Sequence, residues 1–164
     1  AIIQSRSIPY HQAKAGDNII FSNNLEIFLL NPLHNPDYYK DSDFNNASIV
    51  VKLFYKNADF LFTGDIEKAA ENKLLTWQNI LQSDILKTGH HGSATSTTLK
   101  FLEKVNPIIA VITVGKNNFG HPSEKVIERL EDKNIQIYRT DENGTVIIRT
   151  NGREYWIKTL RENN

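Results

Sequence analysis

Short apolar runs that stop abruptly at small or turn-forming residues set the rhythm of this chain, and they alternate with segments of helical spacing. Two apolar stretches open it, around residues 2–10 and 18–30, and both read as strands. The second is broken by a hairpin signal at Ser22-Asn23-Asn24. Residues 31–46 are rich in Pro, Asn, Asp and Tyr and carry no period, which predicts a surface loop. A β-branched and aromatic run at 48–55, a turn at Lys56-Asn57-Ala58 and a returning run at 59–63 predict a hairpin.

From there the pattern changes. Apolar residues at Ala69, Ala70, Leu74, Trp77 and Leu81 approximate helical spacing over 66–82 and predict a crossover to a strand at 84–88. A second unit comes next, with Ser96 or Thr97 capping a short helix through 99–105 and a strand at 108–114. A helix over 123–133 then leads to strands near 135–139, 145–149 and 154–158. Asn143-Gly144 and Asn151-Gly152 read as hairpin turns among them. No internal repeat, low-complexity tract or linker interrupts the alternation, which points to one layered α/β domain, or part of one.

Composition narrows the chemistry. With 164 residues, 40% of them hydrophobic, the chain is long enough to bury a core. Its 19 basic and 19 acidic residues balance, so any contact with nucleic acid must be local rather than a bulk electrostatic footprint. It has no Cys, which excludes disulfides, thiolate zinc sites and cysteine nucleophiles and leaves His, Asp and Glu as the strong metal ligands. No apolar run approaches the ~18 residues of a membrane span. Met is absent, even at position 1, and no signal-peptide pattern opens the chain, so it reads as a piece cut or processed from something longer.

Two apolar runs end in groups that can ligate a metal: D-F-L-F-T-G-D closes on Asp65, and D-I-L-K-T-G-H-H-G-S closes on His90 and His91. A carboxylate and two imidazoles at the carboxyl ends of adjacent parallel strands stand where open α/β sheets place ligand sites. The plainer reading of Asp65 is a carboxylate accepting amides of the helix that comes after it. For His90 and His91, adjacent side chains in extended backbone would point to opposite faces. One would ligate, and the other would orient substrate or donate a proton. His121, in F-G-H-P with Asn117 and Asn118 beside it, ends a third strand-loop segment, and a helix-capping histidine is its ordinary alternative. His11 and His34 have no partners at useful spacing and read as surface residues, and the basic residues Arg139, Arg149, Arg153, Lys158 and Arg161 read as a solvated face. There is no G-x-S-x-G elbow, Gly-rich phosphate loop or H-E-x-x-H helix.

Taken in order, N-N-A-S-I-V-V-K-L, F-L-F-T-G-D-I-E, D-I-L-K-T-G-H-H-G-S, V-I-T-V-G-K-N-N-F-G-H-P and Y-R-T-D-E-N-G resemble the metallo-β-lactamase-like domain of ComEC, the family of DNA-internalisation competence proteins. The resemblance runs from about Ala15 onward. It implies an αββα sandwich with a dinuclear site for divalent ions, zinc or manganese, with Asp65 bridging them and His91 as a ligand. His90 and His121 would then act on the leaving oxygen, and Ser93, Asn46 and Asn118 would lie on substrate. The reverse assignment of His90 and His91 stays open. Where many members carry a further ligand histidine, this chain has Asn45-Asn46-Ala47-Ser48, and the principal H-x-H-x-D-H cluster is absent. The resemblance therefore identifies residues 1–164 as the carboxyl-terminal half of one such domain.

Such a resemblance implies a metal-dependent hydrolase, with a phosphodiester of single-stranded DNA as substrate, completed by the upstream half of the same domain. It would be attached to a membrane, or held outside the cytoplasm, through a parent chain only. Taken alone, these residues would bind metal weakly and cleave little. Another esterase or lactonase on the same scaffold, and a non-catalytic module binding nucleic acid or protein, are the alternatives, since fold does not fix substrate.

Overall fold

A computed structural model describes residues 2–33 and 44–161. Seven strands form one sheet in chain order: β1 (Asn18–Ser22), β2 (Leu25–Asn31), β3 (Val50–Tyr55), β4 (Ala58–Phe62), β5 (Ile85–Lys87), β6 (Ile109–Ile112) and β7 (Gln136–Arg139). The first four make an antiparallel meander, and β4 through β7 are parallel. The change of direction is set by the connections, since a turn at Lys56-Asn57 allows only an antiparallel return whereas the helical crossovers allow parallel pairing. Those crossovers contain α2 (Lys68–Leu74), α3 (Leu99–Val105) and α4 (Glu124–Asp132).

Alternate strand residues explain the layers. Leu30, Val50, Leu61, Leu86, Ala110 and Ile112 join Ala70, Leu74, Phe101, Leu102, Val105, Val126 and Leu130 in one buried cluster, so the three crossover helices cover one face of the sheet. Toward the other face lies a second sheet, the hairpin of β8 (Val146–Thr150) and β9 (Tyr155–Thr159). Between the sheets a cavity of about 290 Å³ is lined by Phe60, Phe62, Ile85, Val111, Val146 and Ile148 among others. Tyr155 fastens the second sheet through its hydroxyl, which donates to Asp84 at 2.7 Å, and through edge contact of its ring with Phe60. Helices, a large sheet and a second sheet are three layers of the expected αββα sandwich.

One buried residue breaks the apolar pattern. Lys52 lies opposite Leu61 on the helix-covered face with its side chain 0% exposed, and its ammonium reaches the Gln82 carbonyl, the Ser83 hydroxyl (2.8 Å) and the Asp59 carboxylate (3.2 Å). Burial pushes its pKa down, and the neighbouring Asp59 carboxylate opposes that shift.

Several sequence expectations are corrected. Residues 2–10 contain no strand: Ile2–Ser5 form one helical turn, α1, and β1 is the edge of the sheet. An apolar run becomes a strand only where a partner edge accepts it, and periodicity cannot show the partner. The helix expected over 66–82 stops at Leu74 and continues as a 3-10 segment, Leu75–Leu81, with Gln78 at φ 49°. Thr98, not Ser96 or Thr97, caps α3, its hydroxyl accepting from the Phe101 amide. Asn143-Gly144 is no hairpin turn either. Thr140–Asn143 form a helical turn, α5, and Gly144 at φ 68° carries the chain from the large sheet to the second. Asn151-Gly152 does join β8 to β9. Most of the loop predicted over 31–46, and His34 within it, lies outside the described residues.

Candidate active site

The carboxyl ends of β4, β5 and β6 lie side by side, with Phe62 opposite Lys87 and Lys87 opposite Val111. The three loops that leave them carry Asp65, His90 with His91, and His121. Parallel register alone therefore gathers residues far apart in sequence onto one edge.

Hydrogen bonds to backbone carbonyls hold the loops together. The Thr63 hydroxyl donates to the Lys87 carbonyl (2.8 Å), the His90 amide to the Gly64 carbonyl (3.2 Å) and the Ser123 amide to the Gly92 carbonyl (2.8 Å). Gly64 has φ +58°, and a Cβ there would meet the Ser48 Cβ at 2.7 Å. That close approach lets the Ser48 hydroxyl accept the Asp65 amide.

His90 and His91 are not extended. Both lie in the left-handed region, at φ 44° and 53°. The opposite-face expectation is thereby corrected, and the rings converge, with centroids 6.2 Å apart and that of His90 5.5 Å from His121. Two successive non-glycine residues in this region cost of order 1–3 kcal/mol each, and such strain is found where function over-determines the backbone.

Hydrogen bonding sets the tautomers. His91 Nδ1 lies 2.6 Å from the Thr113 carbonyl, which can only accept, so Nδ1 carries a proton and, in the neutral ring, Nε2 presents its lone pair. That Nε2 stands 3.7 Å from Asp65 Oδ1, and both side chains are close to half exposed. His90 is held differently: its Nδ1 lies 3.0 Å from Glu67 Oε1, which also accepts from the Thr95 hydroxyl at 2.9 Å. His121 has a buried Nδ1 with no hydrogen-bond partner, and burial lowers its pKa, as would positive charge on the neighbouring His90 and His91 rings.

Asp65 and His91 are the pair that could hold an ion, as oxygen and nitrogen donors suited to zinc or manganese. They would form one edge of such a site. Among the described residues no group of three or more His, Asp or Glu side chains is placed to hold one ion, so the pair is not a complete coordination sphere.

Other expected site residues stand elsewhere. Asn46, expected on substrate, is buried, and its Oδ1 accepts the amides of Glu67 (3.0 Å) and Ala70 (3.2 Å), so it caps α2 from a distant segment. Ser93, also expected on substrate, is buried, and its hydroxyl meets that of Thr95 at 2.9 Å behind Glu67 and His90. In both, the side-chain oxygen already has partners within the protein. Asn118 is exposed on the His121 loop, while its neighbour Asn117 braces that loop. His11 is exposed and pairs with Asp17, as a surface residue. Sequence reasoning missed Glu67 and Lys87. Lys87 donates to the Gly64 carbonyl at 2.9 Å and lies 3.9 Å from Asp65. Glu67 had a signal, two residues after Asp65 in T-G-D-I-E, but its partner became visible only in the fold.

Comparison with known proteins gives the family and the fold. Residues 24–116 match the metallo-beta-lactamase superfamily. The chain belongs to that superfamily. It is 33% identical over 151 residues to ComE operon protein 3 of Bacillus subtilis (strain 168), covering 92% of this chain and 19% of that protein. It is 36% identical over 113 residues to Competence protein ComA of Neisseria gonorrhoeae, covering 68% of this chain and 16% of that one. The chain thus stands with the ComEC-type competence proteins and spans less than a fifth of the length of the curated relatives it matches. A solved structure from Parabacteroides distasonis ATCC 8503, provisionally described as a metal-dependent hydrolase, shares the fold at a TM-score of 0.50 with 17% identity, over 83% of this chain and 60% of that one. No helix among the described residues is long and apolar enough to cross a membrane.

Proposed function

We propose that this metallo-beta-lactamase domain contributes Asp65 and His91 to a dinuclear zinc or manganese centre that hydrolyses phosphodiester bonds of single-stranded DNA during its uptake. The observation that carries the reading is the approach of Asp65 Oδ1 and His91 Nε2 to 3.7 Å at the ends of adjacent parallel strands, on a chain related to competence proteins. The remaining ligands come from the upstream half of the same domain, since two donors leave most coordination positions unfilled. The parent chain then sets the extracytoplasmic or membrane-attached location.

When bound, the ions supply Lewis acidity at the phosphoryl group and a nucleophile near neutral pH. The protein supplies the rest. Thr113 fixes the tautomer and direction of His91, as outer partners of ligand histidines do. Glu67 holds His90 through Nδ1, leaving its Nε2 to give a proton to the leaving oxygen. Burial lowers the pKa of His121, so its neutral ring is available to stabilise charge that develops on the substrate. Lys87, beside Asp65, offsets part of the negative charge at the site.

Elemental analysis of the full-length protein tests the assignment. Asp65→Ala and His91→Ala should each remove bound metal, while His11→Ala keeps it. Chelator-sensitive digestion of a labelled single-stranded oligonucleotide should disappear in step. Full metal occupancy in the Asp65 variant would overturn the site.

A further inference from the structure

The loop between β6 and His121 carries a feature that metal chemistry does not use. Phe119 is 83% exposed, more than any other large hydrophobic side chain among the described residues. An isolated apolar side chain at a surface needs no explanation. This one, however, is held in place at the rim of the site. Its backbone is braced by Asn117, whose Oδ1 accepts the amides of Phe119 (3.0 Å) and His121 (3.1 Å) while its Nδ2 donates to the carbonyls of Gly115 (2.9 Å) and His121 (2.7 Å). The Phe119 ring lies nearly parallel to that of His121, at 26° and a centroid distance of 6.0 Å. Beside the two rings is a cavity of about 190 Å³ whose lining includes His91, Val114 and the exposed Lys116.

Chemistry limits what such a surface recognises. It offers a flat apolar ring open to solvent, a neighbouring cation and no arrangement of donors and acceptors that would read a sequence. A stacking ring beside a positive charge is how single-stranded nucleic acid is held without base preference. A duplex keeps its base faces covered and could not use the ring. We propose that Phe119 is a stacking platform for an unpaired nucleobase adjoining the bond that is cut, with Lys116 at the neighbouring phosphate. This inference rests on the phosphodiesterase reading and adds to it the residue that selects single strands.

Binding of a labelled single-stranded oligonucleotide to the full-length protein, compared with the same backbone carrying abasic sites, isolates the stacking. Phe119→Ala and Phe119→Leu should weaken binding of the base-bearing strand by roughly 5- to 100-fold. Phe119→Trp should restore it, and the abasic strand should bind all four proteins alike. Equal losses on both strands would show that the ring only shapes the loop, and undiminished binding in the Ala variant would show that it makes no contact. Either result overturns the stacking role and leaves the phosphodiesterase reading standing if the unmodified protein still cleaves the strand. Failure of the unmodified protein to bind or cleave the base-bearing strand with manganese or zinc present would overturn both.

Discussion

Asn46→Ala tests the link between the buried framework and the site. Glu67 is the N-cap residue of α2 but provides no side-chain cap; the Thr95 carbonyl accepts the Lys68 amide (2.9 Å), and Asn46 Oδ1 accepts two more, at 3.0 Å from the Glu67 nitrogen and 3.2 Å from that of Ala70. The alanine variant removes both bonds. Loss of a capping side chain costs typically ~1 kcal/mol, and leaving a buried amide without an acceptor adds ~1–3 kcal/mol. The Glu67 amide is only partly buried and can turn to water, which argues for the lower end. The expected loss is therefore about 2 kcal/mol, or ~4–8 °C in melting temperature for a chain of this size. Trp77 is a suitable reporter, because it packs edge-on against Phe28 and donates to the Leu30 carbonyl on the same side of the sheet. Asn46→Asp keeps an acceptor beside a helix N-terminus, where negative charge is favoured, and should melt above the alanine variant. A change of less than ~1 °C for alanine would refute the capping argument, given the same conversion of energy to temperature. So would an aspartate variant that melts no higher than alanine.

Two further outcomes are expected. Glu67→Ala should lower kcat by about 10- to 100-fold with metal content and KM unchanged, the scale seen when the partner of a functional histidine is lost. Glu67→Gln, which retains an acceptor for His90 Nδ1, should recover most of it, and a glutamine variant as impaired as alanine would exclude the positioning role. Lys52→Met should reveal a pH dependence. Burial holds the folded-state pKa of Lys52 below its ordinary 10.5, so just below that value the unfolded chain binds more protons and stability gains from rising pH. The stability difference between the parent chain and the methionine variant should therefore shift in favour of the parent as pH climbs toward 10.5 in urea unfolding, and a flat difference would contradict it.

The alternation of strands and crossovers, the family, and the loops on which chemistry would fall were all legible in the amino-acid order, because these depend on local patterns. Apolar runs ending at T-G-D and T-G-H-H-G mark strand ends, and turn residues mark the hairpins on either side. Which partners each residue on those loops meets was decided by the folded arrangement alone. His90 and His91 look equivalent in sequence, yet a carbonyl from β6's loop and a carboxylate before α2 give them different partners. Asn46 looks polar and available, but the fold buries it against a helix that begins about twenty residues later. Residues 2–10 have the composition of a strand, yet they pair with no sheet edge and Ile2–Ser5 close as a helical turn instead. In each case the deciding interaction joins segments distant in the chain, and a hydrogen-bond partner or a vacant sheet edge has no signature in the spacing of the residues that need it.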